Sequence, residues 1–550
     1  MLSNEDANVA HSLVIFGASG NLAKRKVFPL LWSLYRDDQL PKRLRIFTYC
    51  RTPVRAKTYR RRVLPYVNLD RSKDLEKFDL FWSRVYCVQG KYNKPEHFAA
   101  LAKVMRVQER KHTHLLHPRA NRIFYLALPP LCFDQVTLNA SNQCSSPNGW
   151  TRIIVEKPFA SDDFSYDFFG KALYNSFRES QIYFIDHQLS RRVFQNYHLL
   201  RFANHFWGST MNNQHVAAVM ISVKSKLPVP EWRSNYFEEF GIIRDLMGNH
   251  MMQMLALVAM DQPFDSTAEE VREERLKTLR QVIAPNMRNV VIGQYRSNEE
   301  NEDPGRCGYK EHSYIANDST QATFASVVLH IDSPRWKGVP FILRAGMALN
   351  DTKSEVRIQY KPVPCHPYHM GKGQIRNEMV LRTQPTEEIF MRLRLKGNSL
   401  NLCPGEAEIN LSLDKFEGEV PPMKFYKDAI LDVFKGDQTY FLQSDEQCQI
   451  WRILSPILTT IDASNAHPLY YEFGSRGPMH AYRHAERAGF VFFATDEWHQ
   501  SEEGLEYTLE LSRLGKEMPE MEGVKPERAK KPWKCVSLNL IENQTFGSFL

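Results

Sequence analysis

Residues 12–23 read SLVIFGASGNLA, and this stretch decides the fold of the first part of the chain. The apolar run predicts a short buried strand, and the glycines after it predict a tight turn into a helix that runs to about residue 35. Gly17 permits the turn, Gly20 lets backbone amides approach a diphosphate, and Ala23 lets the helix pack closely on the sheet. The unit therefore predicts a dinucleotide site at the helix N-terminus, although a plain turn would also use two glycines.

The end of the second predicted strand, residues 44–50, indicates which dinucleotide is bound. An NAD site normally places Asp or Glu there, where its carboxylate binds the ribose 2′-hydroxyl. In this chain the strand is followed by Arg51, whose guanidinium suits a 2′-phosphate. The sequence thus favours NADP over NAD, with a surface Arg as the alternative.

Further strands are predicted at residues 122–128, 151–155 and 182–185, and they alternate with helical segments. This alternation predicts an α/β fold with a parallel, doubly wound sheet, that is, an NADP-binding Rossmann-like domain over residues 1–190.

The pattern changes in the next region, residues 191–514, where strand-like runs gather together. It predicts an α+β domain with a mostly antiparallel sheet flanked by helices. The predicted strands are 216–223, 322–331, 341–344, 355–360, 378–382, 389–395 and 407–413. The predicted helices are 242–260, 266–280, 428–435 and 445–461. Residues 515–550 are predicted to be a charged C-terminal tail.

Composition excludes several classes of function. The 550 residues carry a net charge of +8, and the basic residues are scattered, so we expect small phosphorylated molecules rather than nucleic acid as partners. No apolar run is long enough to cross a membrane, and no secretory signal is visible. The nine cysteines form no C-x-x-C pair, and the run CHPYH at 365–369 matches no common zinc spacing. We therefore expect a cytoplasmic protein without a metal site.

Three segments carry residues suited to acid–base chemistry. Residues 185–196 read IDHQLSRRVFQN and place Asp186 beside His187 at the end of a strand, and Lys157 precedes a proline after another strand. A later helix holds His250 among apolar residues. A carboxylate reaching one ring nitrogen of this His would orient it as a general base. The alternatives are a solvated helix start for the Asp-His pair and a core histidine for His250.

These segments, with others, resemble the glucose-6-phosphate dehydrogenase family over nearly the whole chain. The matching segments are GASGNLAKRK, YLALPP, IVEKPF, IDHQL, FGIIRDLMGNHMMQML, GVPFILRAG, ILDVF and FGSRGP. The resemblance implies NADP-dependent oxidation of glucose 6-phosphate at C1 in the oxidative pentose phosphate pathway. It also implies a homodimer or tetramer, with residues 191–514 as the substrate and dimerisation domain.

The resemblance further implies roles for individual residues. His250 corresponds to the general base, Asp186 to the carboxylate that orients it, and Lys157 to a lysine that contacts both sugar and coenzyme. The implied substrate-binding positions are His187, Gln188, Arg191, Asp245 and Gln384. The implied coenzyme-binding positions are Gly17, Ala18, Ser19, Gly20, Asn21, Leu22, Lys26, Arg51 and Lys157. The implied residues of a second, structural NADP site are Lys353, Arg357, Arg382, Arg476 and Trp498.

The chain departs from the family pattern mainly where the substrate phosphate is expected. Gln188 stands for a family Tyr, Arg191 for a Lys, and Met347 for a Lys. Losing one charge-assisted phosphate contact costs about 1.5–3 kcal/mol, or roughly ten- to hundredfold in affinity. Two alternatives therefore remain open: a dehydrogenase with a shifted hexose substrate, and a catalytically weak NADP-binding partner subunit.

Overall fold

The computed structural model describes residues 9–70, 72–111, 119–129, 132–157, 170–171, 173–186, 188–297, 306–363, 376–396, 404–411 and 424–492. His187, Trp498, residues 365–369 and the predicted tail over 515–550 lie outside this description. Within it, residues up to Phe490 belong to one compact unit that contains two sheets.

The first sheet is parallel, as the sequence predicts, and it has six strands where the sequence predicts five. Its strands are β1 Ala10–Phe16, β2 Leu44–Cys50, β3 Val85–Gln89, β4 Ala120–Leu126, β5 Thr151–Val155 and β6 Ile182–Phe184. They lie in the order β3-β2-β1-β4-β5-β6, so the chain reverses direction across the sheet between β1 and β4. In such sheets ligands bind at this reversal, beyond the carboxyl ends of the strands.

The strands of this sheet are buried on both faces, and most of their side chains are apolar. All seven residues of β1 and of β4 are buried, which is typical of a parallel sheet covered on both sides. Strand β3 was not predicted, because its sequence VYCVQ is short and only its first residue is buried. Strand β4 ends two residues before the predicted boundary, ahead of the turn that leads to Pro129.

Helices cover the first sheet. They are the π-helical turn Ala23–Val27 with Phe28–Arg36, then Ala56–Val63, Leu75–Trp82, Pro95–Arg110 and Phe133–Cys144. Short 3₁₀ turns lie at Leu64–Tyr66 and Glu179–Gln181. A distant helix, Lys424–Lys435, also packs on this sheet, where Ile430 and Val433 join the core with Leu13 and Ile15. The C-terminal part of the chain therefore helps to bury the coenzyme sheet.

The second sheet has ten strands, nine of them in its main path. They are β7 Val216–Lys224, β9 Val290–Arg296, β10 Phe324–Ile331, β11 Pro340–Gly346, β12 Lys353–Tyr360, β13 Glu378–Gln384, β14 Glu388–Lys396, β15 Pro404–Leu411 and β16 Leu469–Glu472, with β8 Val282–Ile283 paired to β10. The predicted mostly antiparallel sheet is confirmed with a correction, because β7 pairs with β11 and β9 with β16 in parallel. Strands β8, β9 and β16 were not predicted.

The helices of this region are Arg192–Phe202, His205–Thr210, Ser234–Ile242, Met252–Ala259, Ala268–Gln281, Lys424–Lys435, Ser444–Ser464 and Met479–Arg487, with 3₁₀ turns at Glu231–Arg233, Met287–Asn289 and Tyr309–Glu311. Between two of them, residues Ile243–Met251 form a π-helix. The sequence predicts one uninterrupted α-helix here, because a hydrophobic pattern does not distinguish the two hydrogen-bond spacings. Among the described residues, no helix has both the length and the apolar character needed to cross a membrane.

Candidate active site

The predicted acid–base residues lie at the carboxyl edge of the parallel sheet. Lys157 follows the end of β5 by two residues, and Asp186 follows the end of β6 by the same interval. Because β5 and β6 are hydrogen-bonded neighbours, their ends place these two side chains close together. His250 comes from the π-helix of the second region and completes the group.

The three side chains are in direct contact. Both carboxylate oxygens of Asp186 lie 3.1 Å from Nδ1 of His250. Nζ of Lys157 lies 3.6 Å from Oδ2 of Asp186 and 2.7 Å from Nδ1 of His250, and it also contacts Nε2 of that ring. The backbone N–H of Gln188 donates to Oδ1 of Asp186 at 2.7 Å, which fixes the carboxylate. This arrangement can orient an imidazole and stabilise its protonated form.

Burial perturbs the ionisable members of this group. Asp186 is fully buried, and loss of hydration raises its pKa, while the nearby Lys157 ammonium acts in the opposite direction. Burial likewise lowers the pKa of Lys157, and the charge of Asp186 opposes that shift. Perturbed groups gathered at the edge of a sheet are typical of catalytic sites.

The π-helix brings Asp245 to the same region as His250. These residues are five apart in sequence, and the N–H of Met252 bonds to the carbonyl of Met247, also five residues back. With that spacing, residues five apart lie one turn apart on the same side, whereas in an α-helix residues three or four apart do so. The local helix geometry therefore decides that both side chains can serve one site.

Asp245 is held by two residues that the sequence did not single out. Nη2 of Arg233 donates to both carboxylate oxygens at 2.7 Å, and the hydroxyl of Tyr236 donates to Oδ1 at 3.1 Å. These contacts leave acceptor capacity on Oδ2 for a further donor, such as a sugar hydroxyl. No spacing in the sequence could have revealed this pairing.

The predicted phosphate positions form a second cluster. Nη1 of Arg191 contacts Oε1 of Glu387 at 3.1 Å and the carbonyl of Thr383 at 3.3 Å, which brings the segment after β6 against the end of β13. Gln188 is 1% exposed, and among the described residues its two amide atoms have no hydrogen-bond partner. The structure thus brings together Gln188, Arg191 and the strand that ends at Gln384.

Met347, which replaces a family lysine, is 6% exposed. Its N–H donates to the carbonyl of Thr323 at 3.0 Å, and its carbonyl accepts from the hydroxyl of Tyr471 at 2.8 Å. The backbone at this position is therefore firmly held, although its side chain contributes no charge.

The predicted coenzyme loop lies at the carboxyl end of β1. Gly17 has φ +76°, and a Cβ there would lie 2.2 Å from the carbonyl of Ala127, so a larger residue is excluded. The N–H of Gly20 donates to the carbonyl of Gly17 at 2.9 Å, and the hydroxyl of Tyr59 donates to the carbonyl of Ala18 at 2.6 Å. Ser19, Asn21 and Leu22 continue the loop into the helix, with at least part of each side chain accessible.

The sequence also predicts two cations for the coenzyme site, Arg51 and Lys26. Arg51 follows β2 directly and is exposed. Its guanidinium carbon, Cζ, lies 6.0 Å from the ring centroid of Tyr92. Lys26 has a pKa lowered by burial, a shift that the charge of Glu156 opposes. Glu156 is itself buried and accepts a hydrogen bond from the hydroxyl of Tyr125 at 2.5 Å. The sequence did not single out this Glu, although it stands beside Lys157.

The cations of the expected structural NADP site lie on and near the second sheet. Arg357 is bound by Glu378, with Nη2 to Oε1 at 2.9 Å, and Arg382 contacts Glu355 at 3.2 Å. Nζ of Lys353 lies 3.3 Å from Oδ2 of Asp351. The carbonyl oxygen of Arg476 accepts a hydrogen bond from Nη2 of Arg344 at 2.5 Å. The grouping of these residues as a ligand site stays a prediction.

Two family descriptions match the chain in succession. Residues 14–196 match the NAD-binding domain of glucose-6-phosphate dehydrogenase, and residues 198–499 match its C-terminal domain. Among curated proteins, glucose-6-phosphate 1-dehydrogenase of Drosophila melanogaster is 40% identical over 496 residues, which cover 90% of this chain and 93% of the relative. That of Takifugu rubripes is 39% identical over 489 residues, covering 89% and 90% of the two chains.

A solved structure agrees with these matches. A glucose-6-phosphate dehydrogenase in complex with its substrate glucose 6-phosphate superposes with a TM-score of 0.82 at 31% sequence identity, covering 88% of this chain and 99% of the other.

Proposed function

The chain belongs to the glucose-6-phosphate dehydrogenase family, and we propose that it oxidises glucose 6-phosphate at C1 with NADP, giving 6-phosphogluconolactone and NADPH. The observation that carries this proposal is the buried contact group of Asp186, Lys157 and His250 at the edge of the coenzyme-binding sheet. We propose that the reaction feeds the oxidative pentose phosphate pathway.

His250 acts as the general base that takes the proton of the C1 hydroxyl. Bound NADP supplies the nicotinamide ring that accepts the hydride leaving C1. Asp186 holds the imidazole through Nδ1 and stabilises the positive charge that forms on it, since a buried ion pair is screened only weakly by solvent. The Lys157 ammonium sits against both groups and is available to a sugar oxygen, and Asp245 offers its remaining acceptor position to a second hydroxyl.

The residues around the coenzyme loop fit a dinucleotide phosphate. Gly17 and Gly20 allow the tight turn, and the helix that follows presents its N-terminus to the diphosphate. Arg51 is exposed beside this loop and suits the 2′-phosphate that distinguishes NADP from NAD.

The test is NADPH formation by the purified protein with glucose 6-phosphate and NADP, followed by absorbance. We expect turnover by the wild-type protein and its loss in His250→Ala, while Asp462→Asn, which changes a partly exposed ion pair with Arg244, retains it. No turnover by the wild-type protein at any substrate concentration would contradict the proposal.

A second candidate function is a dehydrogenase with a shifted substrate, and the uncharged side chains of Gln188 and Met347 favour it. A panel of hexoses and hexose phosphates ranked by kcat/KM separates the two, because glucose 6-phosphate ranking first excludes the shift. The third possibility is a non-catalytic partner subunit. It requires NADP binding without turnover and co-assembly with an active enzyme.

We also propose assembly into homodimers or tetramers and a cytoplasmic location. The six cysteines whose state the structure gives are all free, which suits a reducing compartment. Chromatography coupled to light scattering and imaging of the tagged protein test these two points.

A further inference from the structure

Arg191, the cation that stands in place of a family lysine after β6, is engaged by a carboxylate. Nη1 of Arg191 lies 3.1 Å from Oε1 of Glu387, and the side chains are 10% and 20% exposed. The same Nη1 also donates to the carbonyl of Thr383 at 3.3 Å. An ion pair this shielded from water is screened less than one on the surface.

Two amide side chains near this ion pair have buried atoms without hydrogen-bond partners among the described residues, which indicates a place where a polar ligand binds. Gln188 is 1% exposed, and neither of its amide atoms has a hydrogen-bond partner among the described residues. Oε1 of Gln384, the residue after Thr383, is also buried and has no hydrogen-bond partner among the described residues. Buried polar atoms are nearly always paired, so unpaired ones gathered in one place indicate a position that a polar ligand fills.

We propose that Glu387 limits the affinity of the substrate site for phosphate: its carboxylate occupies Arg191 in the ligand-free protein, and the substrate phosphate must displace it. The proposal rests on the proposed function, because it takes Arg191 as a phosphate ligand.

The displacement makes phosphate binding a competition between the phosphate and the carboxylate of Glu387. A phosphate dianion accepts two hydrogen bonds from one guanidinium and carries more charge than a carboxylate, so it can win the exchange. A sugar that ends in a neutral hydroxyl gains too little from Arg191 to release Glu387. Glu387 therefore lowers the affinity for glucose 6-phosphate and inorganic phosphate, which bind at Arg191, while leaving the affinity for a neutral sugar unchanged.

The test is the variant Glu387→Gln, which keeps the shape of the side chain and removes its charge. We expect KM for glucose 6-phosphate to fall about three- to tenfold, because an ion pair of this kind no longer has to be broken. The inhibition constant of inorganic phosphate should fall by a similar factor, while kcat and KM for NADP stay unchanged. With unphosphorylated glucose as substrate, kcat/KM should not change.

Glu179→Gln is the matched control. Glu179 contacts the buried Arg272 at 3.0 Å, so the same substitution removes a similar ion pair outside this cluster. Thermal unfolding of both variants checks that they are folded.

An unchanged or raised KM for glucose 6-phosphate in folded Glu387→Gln, or an equal fall in Glu179→Gln, would overturn the proposal. If the wild-type protein forms no NADPH, the proposed function fails separately. Calorimetric titration with glucose 6-phosphate then decides the role of Glu387, since tighter binding by Glu387→Gln supports it and equal or weaker binding rejects it.

Discussion

Replacing Asp186 by Asn is the most direct perturbation of the reacting group. The change keeps the size of the side chain and removes the negative charge of the carboxylate whose two oxygens contact Nδ1 of His250. The amide can still accept a hydrogen bond, so the effect isolates the charge. Without it, the repulsion between the protonated imidazole and the Lys157 ammonium is no longer offset by the charge of Asp186.

The structure sets the size of the effect. Both Asp186 oxygens lie 3.1 Å from Nδ1, and the carboxylate is fully buried. For charge centres about 4 Å apart and an effective dielectric constant of about 20, the attraction is about 4 kcal/mol. If the imidazolium forms in the transition state, its loss corresponds to about a thousandfold in kcat.

The assay is steady-state NADPH formation with saturating NADP, and coenzyme binding is followed separately by the fluorescence of NADPH. We expect kcat to fall about a thousandfold while coenzyme binding persists. A kcat within about tenfold of the wild-type value, in a variant that unfolds at the same temperature, would refute the assignment of Asp186 as the partner of the base.

Three further predictions concern substrate affinity and stability. Met347→Lys should lower KM for glucose 6-phosphate about tenfold by restoring a cation, and an unchanged KM would exclude this position from the phosphate site. Glu446→Gln should destabilise the fold by about 3–5 kcal/mol in urea denaturation, because Arg275, 2.8 Å away, is fully buried and loses its counter-ion. Burial raises the pKa of Asp432 to about 6. The folded protein therefore holds a proton that the unfolded chain releases above about pH 4, and this carboxyl should reduce stability by up to about 3 kcal/mol as pH rises from about 4 to 6. Asp432→Asn should abolish that part of the pH dependence, and an identical profile would contradict it.

The acid–base residues could be predicted from the sequence, but the residues that hold the site's charged side chains in place could not. Asp186, Lys157 and His250 stand in motifs whose letters match the family, so each could be named without a structure. Arg233 and Glu387 could not, because each acts through a partner whose distance along the chain carries no information about contact.

The sequence by itself determined the class of fold and the kind of coenzyme. Alternating apolar strands and helices fix a parallel sheet, and the glycines after β1 fix the turn at its edge, because these signals depend only on neighbours in the chain. The family resemblance added a prediction of the reaction class, NADP-dependent oxidation of a sugar phosphate.

Only the tertiary structure decided how the distant segments meet. The helix Lys424–Lys435 returns to cover the coenzyme sheet, and two strand pairs of the second sheet are parallel, although local pattern cannot distinguish pairing direction. The π-helix puts Asp245 and His250 on one side, and the contact of Glu387 with Arg191 joins segments far apart in sequence. These features depend on packing and hydrogen-bond geometry in three dimensions, so they cannot be predicted from the pattern of neighbouring residues.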